Sequence, residues 1–202
     1  DFDRAKETIQ FIKDKKWNSA LKTAAKVKDK EFRDLINWMY LKTTRNGATF
    51  DEYKKFIEQN EDYPRINRIR YLAEEKIYLR NNSPTSIISW FEKYPPLGGI
   101  GKIKLAEAYL EQGKLDKVNA LIKDGWITAE IRKNDLGYYR AKFKKFITSE
   151  DHVKRADYLA WERKYWDLKR MLKYLPTDQR ALYNARQILM SNSYGCLLYT
   201  SD

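Results

Sequence analysis

Backbone breakers are scarce in this chain, with 8 Gly and 5 Pro in 202 residues. A sandwich or barrel needs turn residues about every 8–12 positions, so this supply argues against both. Lys, Glu, Leu, Ala and Arg, the residues that lose least rotamer freedom in a helix, are abundant instead. The 43% hydrophobic and 14% aromatic content supplies enough apolar surface for a core, so the 34% of charged residues does not make the chain disordered. The expected fold class is all-α.

Local punctuation divides the chain into helices. Thr49-Phe50-Asp51-Glu52 is a capping box, in which hydroxyl and carboxylate satisfy backbone N–H groups at a helix start. Pro64 suits the first turn of a helix running to about Arg80, with Ile66, Ile69, Tyr71, Leu72 and Ile77 near one stripe. Ser83-Pro84 opens another that carries Ile87, Ile88 and Phe91. Gly113 and Gly125 each follow an apolar run and read as left-handed C-terminal caps. Thr177 caps a last helix bearing Leu182, Ile188 and Leu189.

These segments, joined by short links, predict an irregular α-solenoid of antiparallel helical hairpins. The clearest unit runs from Leu105 through Tyr109 and Gly113 to Leu121 and Ile122. Ala106, Ala108 and Ala120 are expected to let its two helices approach, with Tyr109 and Leu121 filling the gap between pairs. It is similar to a tetratricopeptide-type hairpin. Tyr94-Pro95-Pro96-Leu97-Gly98-Gly99-Ile100-Gly101 interrupts the pattern and predicts an extended stretch followed by a turn of positive φ. It reads as a rigid corner between hairpins, with a ligand loop as the other reading; no strand precedes the glycines and no Gly-Lys-Ser/Thr follows, as a phosphate cradle requires.

The charge balance, 40 Lys and Arg against 28 acids for a net +12, allows either a functional basic surface or dispersed solvated charge. The single Cys196 permits no internal disulfide, and no stretch approaches the apolar length of a membrane span, so no transmembrane segment is expected. The chain starts at Asp1 without a signal peptide, as after removal of one or as an internal fragment.

Little chemistry is legible. One His and one Cys do not make a zinc site of the usual kind, and no calcium loop is present, so neither metal nor cofactor is expected. His152, in Ser149-Glu150-Asp151-His152, reads as a capping or packing residue rather than a base. Glu74-Glu75, Glu107 and Glu111 read as members of solvated helix faces. The six tryptophans, 17, 38, 90, 126, 161 and 166, read as core fillers, the other role being to stack on sugars or bases.

Several stretches together resemble the helical part of soluble lytic murein transglycosylases. Asn60-Glu61-Asp62-Tyr63-Pro64 with Arg70 and Ala73-Glu74 is similar to that family's asparagine, aromatic-proline, Leu-Arg, Ala-Glu succession. Trp90 to Gly101, including Tyr94, Pro96, Leu97, Gly99 and Gly101, resembles its proline-glycine corner. Glu107, Tyr109 and Trp126 resemble the hairpin that follows. Asp151-His152, Arg155-Ala156-Asp157, Trp161 and Arg170-Met171-Leu172 resemble its later "Asp-His, Arg-Leu-Asp, Leu-Trp, Arg-Met-Leu" series. The likeness spans roughly residues 15–190, and departs where Tyr63 and Gly98 stand for Trp and Thr and where Ala156 interrupts Arg-Leu-Asp.

The resemblance implies a periplasmic location and a U-shaped superhelical domain over residues 1–190, followed by a linker or non-native tail over 191–202. It also implies peptidoglycan glycan strands as partner, cleaved to 1,6-anhydromuramoyl ends by a Glu-Ser motif in a separate C-terminal goose-lysozyme-like domain. This chain contains no Glu-Ser pair, so the named motif positions are expected to be structural and no catalytic residue is expected among them. A protein-binding helical-repeat adaptor is the alternative reading. A nucleic-acid-binding solenoid lacks the repeated base-reading side chains it needs.

Overall fold

The computed structural model describes residues 1–44 and 46–190, so the segment 191–202, and Cys196 with it, lies outside them. Among the described residues are twelve α-helices, one 3-10 turn and no strand, as the scarcity of breakers predicts. The chain divides into two compact units, Asp1–Ile77 and the residues from Tyr78 onward.

The first unit holds α1 (Phe2–Lys13), α2 (Trp17–Ala24), α3 (Lys30–Lys42), α4 (Phe50–Gln59) and α5 (Ile66–Glu74). Asp29 caps α3 by accepting from the Phe32 N–H at 3.1 Å. Thr49 and Glu52 form the expected reciprocal capping box on α4. Ile36, Tyr53, Ile57, Ile69, Ala73 and Ile77 make up much of the core. The Asn46 amide closes the α3–α4 link by donating to the carbonyls of Tyr40, Leu41 and Thr43, all near 3.0–3.1 Å. The helix expected from Pro64 to Arg80 is shorter at both ends. Arg65 adopts a left-handed φ of 58° and delays the start to Ile66. Beyond Glu74 the chain turns, where the Lys76 ammonium reaches the Asn46 carbonyl at 2.8 Å and Ile77 inserts into the core.

The second unit holds α6 (Pro84–Lys93), α7 (Gly99–Glu111), α8 (Leu115–Thr128), α9 (Leu136–Lys142), α10 (Ser149–Trp161), α11 (Tyr165–Met171) and α12 (Thr177–Met190), with a 3-10 turn at Leu172–Tyr174. Ser83 caps α6 and Pro84 occupies its first turn. α7 is its centre: residues 103–109 are all buried, which marks a helix covered on every side. It packs against α6 and α8, and α8 in turn meets α10. α7 and α8 are antiparallel, since Gly99 lies beside Ala129 while Lys102 lies beside Asp124 and Gly125.

Three expectations about this pair are corrected. Gly113 does end α7 with a φ of 69°, but Gly125 is no cap and lies inside α8. A Cβ on it would stand 3.1 Å from the Gly99 carbonyl oxygen and 3.2 Å from Ile103 Cγ1, so the glycine serves helix approach. Ala120, assigned that role, is exposed, whereas Ala106 and Ala108 are buried as expected. In the proline-glycine corner, Gly98 is extended, with φ −131° and ψ 170°, and neither Gly99 nor Gly101 has positive φ. Both lie in the first turn of α7, where a Cβ on Gly99 would come within 2.7 Å of Ala129 Cα. Proximity, not turn geometry, accounts for Gly99.

The tryptophans are also not uniformly core fillers. Trp90 and Trp126 are buried, while Trp161 is 75% and Trp166 65% exposed. On α12 the inward residues are Tyr183 and Gln187, and Leu182, Ile188 and Leu189 are exposed.

Candidate functional site

Several of the positions carrying the resemblance lie at joints between helices. In the first unit, the Pro64 carbonyl accepts from Trp38 Nε1 at 3.0 Å, and Tyr63 packs against Trp38 and Phe56. Arg70 donates to Asn67 Oδ1 at 3.1 Å, and Glu74 is buried in α5, which corrects its placement on a solvated face. In the second unit, Tyr94 packs on Trp90 with ring centroids 4.3 Å apart; Pro96 is half-buried and Leu97 exposed. Gly101 and Tyr109 are buried in α7. Trp126 is fully enclosed, with the His152 ring 5.5 Å and the Arg155 guanidinium 5.2 Å from its centroid.

Arg155 itself is buried and donates to the carbonyls of Trp126 and Ala129, the latter at 3.0 Å. These oxygens end α8 and have no helical partner, so a side chain from α10 completes them. Asp151 closes a capping box with Thr148, accepting from its backbone N–H at 2.9 Å. His152 fits the expected packing role between Trp126 and Tyr174, and burial lowers its pKa, with Arg140 adding to the effect. Arg170 pairs with Asp167 at 2.5 Å. Trp161 stands apart from these joints on the surface.

A different cluster carries ionisable chemistry, and the sequence reading missed its main member. Lys104 lies 2% exposed in α7, its ammonium 4.0 Å from the Tyr78 ring centroid and 5.4 Å from that of Tyr139. One turn on, Glu107 is buried too, which corrects its placement on a solvated face. It accepts from the Tyr138 hydroxyl at 2.5 Å and pairs with Lys142 at 3.0 Å, while Lys142 also reaches Glu111 at 2.9 Å. Burial favours the neutral amine of Lys104 and lowers its pKa to about 8, against the opposing pull of Glu107 and Asp135. Burial also opposes the charge on Lys142, but hydrogen bonds to Tyr138, Glu111 and Glu107 outweigh it and raise that pKa. Neighbouring Tyr139 is raised chiefly by burial.

The consequence is a signed pH dependence. Between pH 8 and the ordinary lysine value of 10.5, the unfolded chain holds a proton that folded Lys104 has released. Stability therefore rises with pH across that window. Below it both states are protonated and the burial penalty is present in full. The shift corresponds to roughly 3 kcal/mol. Lys104→Met is expected to raise stability at pH 7 by about 1–3 kcal/mol and to flatten the rise between pH 8 and 10. Urea unfolding at pH 7, 8, 9 and 10 reads both effects, and a variant keeping the parental slope refutes the assignment to Lys104.

The first unit bears a surface groove along α2, α3 and α4. Leu21, Leu41, Phe56 and Ala24 give it apolar surface, and Asp34, Asn37, Lys55 and Gln59 bring carboxylate, amide and ammonium groups to the same cavity. Among the described residues, the side-chain amides of Asn37 and Gln59 make no hydrogen bond. Asp34 is engaged by Lys30 at 2.7 Å. Amides beside charged groups over an apolar floor suit a ligand that has both a C–H face and several polar substituents.

Among the described residues, no group of three or more His, Cys, Asp or Glu could hold a metal ion, and no helix is long and apolar enough to cross a membrane. No protein-family model, curated protein or solved structure matches the chain.

Proposed function

We propose that this chain is the non-catalytic superhelical domain of a soluble lytic murein transglycosylase, its helices forming units of an irregular solenoid that holds peptidoglycan glycan strands in the periplasm. Cleavage then belongs to a separate catalytic domain. The observation that carries the reading is the groove of the first unit, whose free amides of Asn37 and Gln59 and ammonium of Lys55 adjoin Leu21 and Phe56. Amides pair with acetamido and hydroxyl groups, and the ammonium with the carboxylates of lactyl groups and stem peptides. The motif residues support it in another way: Gly99, Trp126, Asp151 and Arg155 work as joints within the second unit, as a scaffold requires.

A sedimentation assay with purified sacculi tests this reading. The net charge of +12 predicts retention at about 50 mM salt and release by about 0.5 M, as the Debye length contracts. Combined replacement of Asn37, Lys55 and Gln59 by alanine removes only exposed side chains and is expected to weaken binding about tenfold, the loss of about 1.4 kcal/mol. Retention indifferent to both salt and these substitutions sinks the proposal.

A further inference from the structure

The exposed Trp161 has surroundings that a stray surface tryptophan lacks. It closes α10, four residues after Asp157, which places both on one helix face. From α12, Arg186 reaches the same spot: its guanidinium lies 5.8 Å from the Trp161 ring centroid and donates to Asp157 Oδ1 at 2.5 Å. The Tyr183 hydroxyl also donates to Oδ1, at 3.4 Å. Among the described residues, Asp157 Oδ2, the indole Nε1 and the remaining guanidinium N–H groups make no hydrogen bond. The indole is thus held in place by a cation on one side, keeps 75% of its surface open, and is bordered by an unused acceptor and unused donors.

Such a platform asks for an apolar face edged with hydroxyls. A pyranose ring has both: its axial C–H bonds pack on the indole, and vicinal hydroxyls donate to a carboxylate while accepting from a guanidinium. A purely apolar protein surface would instead bury the charged pair without satisfying its free groups. Resting on the glycan-holding reading above, we propose that Trp161, Asp157 and Arg186 form a sugar-stacking subsite for N-acetylated glycan chains, additional to the groove of the first unit.

The test titrates the N-acetylglucosamine tetramer into the full chain and follows tryptophan emission, with sacculus retention measured in parallel. The parent is expected to show a blue shift on binding. Trp161→Ala is expected to lose it and to bind the tetramer at least about tenfold more weakly. Trp166→Ala, which removes the other highly exposed indole, is expected to leave both unchanged. Asp157→Asn keeps the platform but removes the charged acceptor, and is expected to weaken binding about threefold to tenfold while retaining the blue shift. Circular dichroism checks that the variants remain folded. Tetramer binding that is indifferent to Trp161 while sacculi are still retained overturns the subsite and leaves the glycan reading standing. A parent chain that binds neither tetramer nor sacculi overturns both. Concentration-dependent self-association abolished by Trp161→Ala identifies the patch as a contact between copies and also overturns the subsite.

Discussion

Arg155→Ala is expected to destabilise the second unit by ~3–5 kcal/mol, the range for removing one member of a buried charged network. The guanidinium is buried to 1% exposure, and it supplies hydrogen bonds to the carbonyls of Trp126 and Ala129. Burial lowers its pKa to about 10, which still leaves it charged at neutral pH. The group is not saturated, since its Nε has no partner among the described residues, and that reduces what the network returns for desolvating the charge. Once the side chain is truncated, the carbonyls lose those bonds and a void opens beside the ring of Trp126. A shift in melting temperature of roughly 10 °C follows for a chain of this size. Arg155→Lys retains charge but replaces a planar fork with a point donor, so it is expected to recover less than half of the loss. Arg155→Met retains most of the volume and removes the buried charge, and is expected to fall between Lys and Ala. Thermal unfolding by far-ultraviolet circular dichroism ranks the three, and an alanine variant within about 1 kcal/mol of the parent would show that the carbonyls find other partners.

What could be read from the sequence divides by the range of the interaction involved. The capping box at Thr49 and Glu52, the Ser83-Pro84 start and the Gly113 stop depend on atoms a few residues apart, and each is present where its pattern predicts. Gly125 fails under the same rule because a glycine after an apolar run has two explanations. Only its contact with Gly99 and Ile103 selects helix approach over a cap. Glu107 fails for a related reason: its charge is compensated by Tyr138 and Lys142, 31 and 35 positions away, so the local sequence reads as a solvated face. Lys104 did leave a signal. Ile103, Leu105, Ala106 and Ala108 surround it with apolar positions on successive faces of one helix, and a lysine amid them was bound to be buried. Trp161 is the reverse case, since its size predicts burial and Arg186 instead supports it at the surface.

The glycines give the second large effect and a sharper test of that distinction. Gly99→Ala is expected to cost about 1–3 kcal/mol through overpacking, because the new methyl would stand 2.5 Å from Thr128 Oγ1 and 2.7 Å from Ala129 Cα. Part of that obstacle is backbone, which yields only if α7 and α8 separate. Gly99→Val is expected to cost more, as it adds two further carbons in the same space. The penalty of Gly113→Ala has another origin. A Cβ there meets nothing within 4 Å among the described residues, but the φ of 69° is strained for any L side chain and costs about 1–2 kcal/mol. Gly137→Ala meets neither obstacle, since it lies in α9 with open space around it and without positive φ, and is expected to stabilise by roughly 0.5–1 kcal/mol. Denaturant unfolding of these variants separates crowding, backbone strain and helix propensity in one chain. If Gly99→Ala behaves like Gly137→Ala, the α7–α8 spacing is not set by that glycine, and the residues at 98–101 act through the corner's backbone path instead.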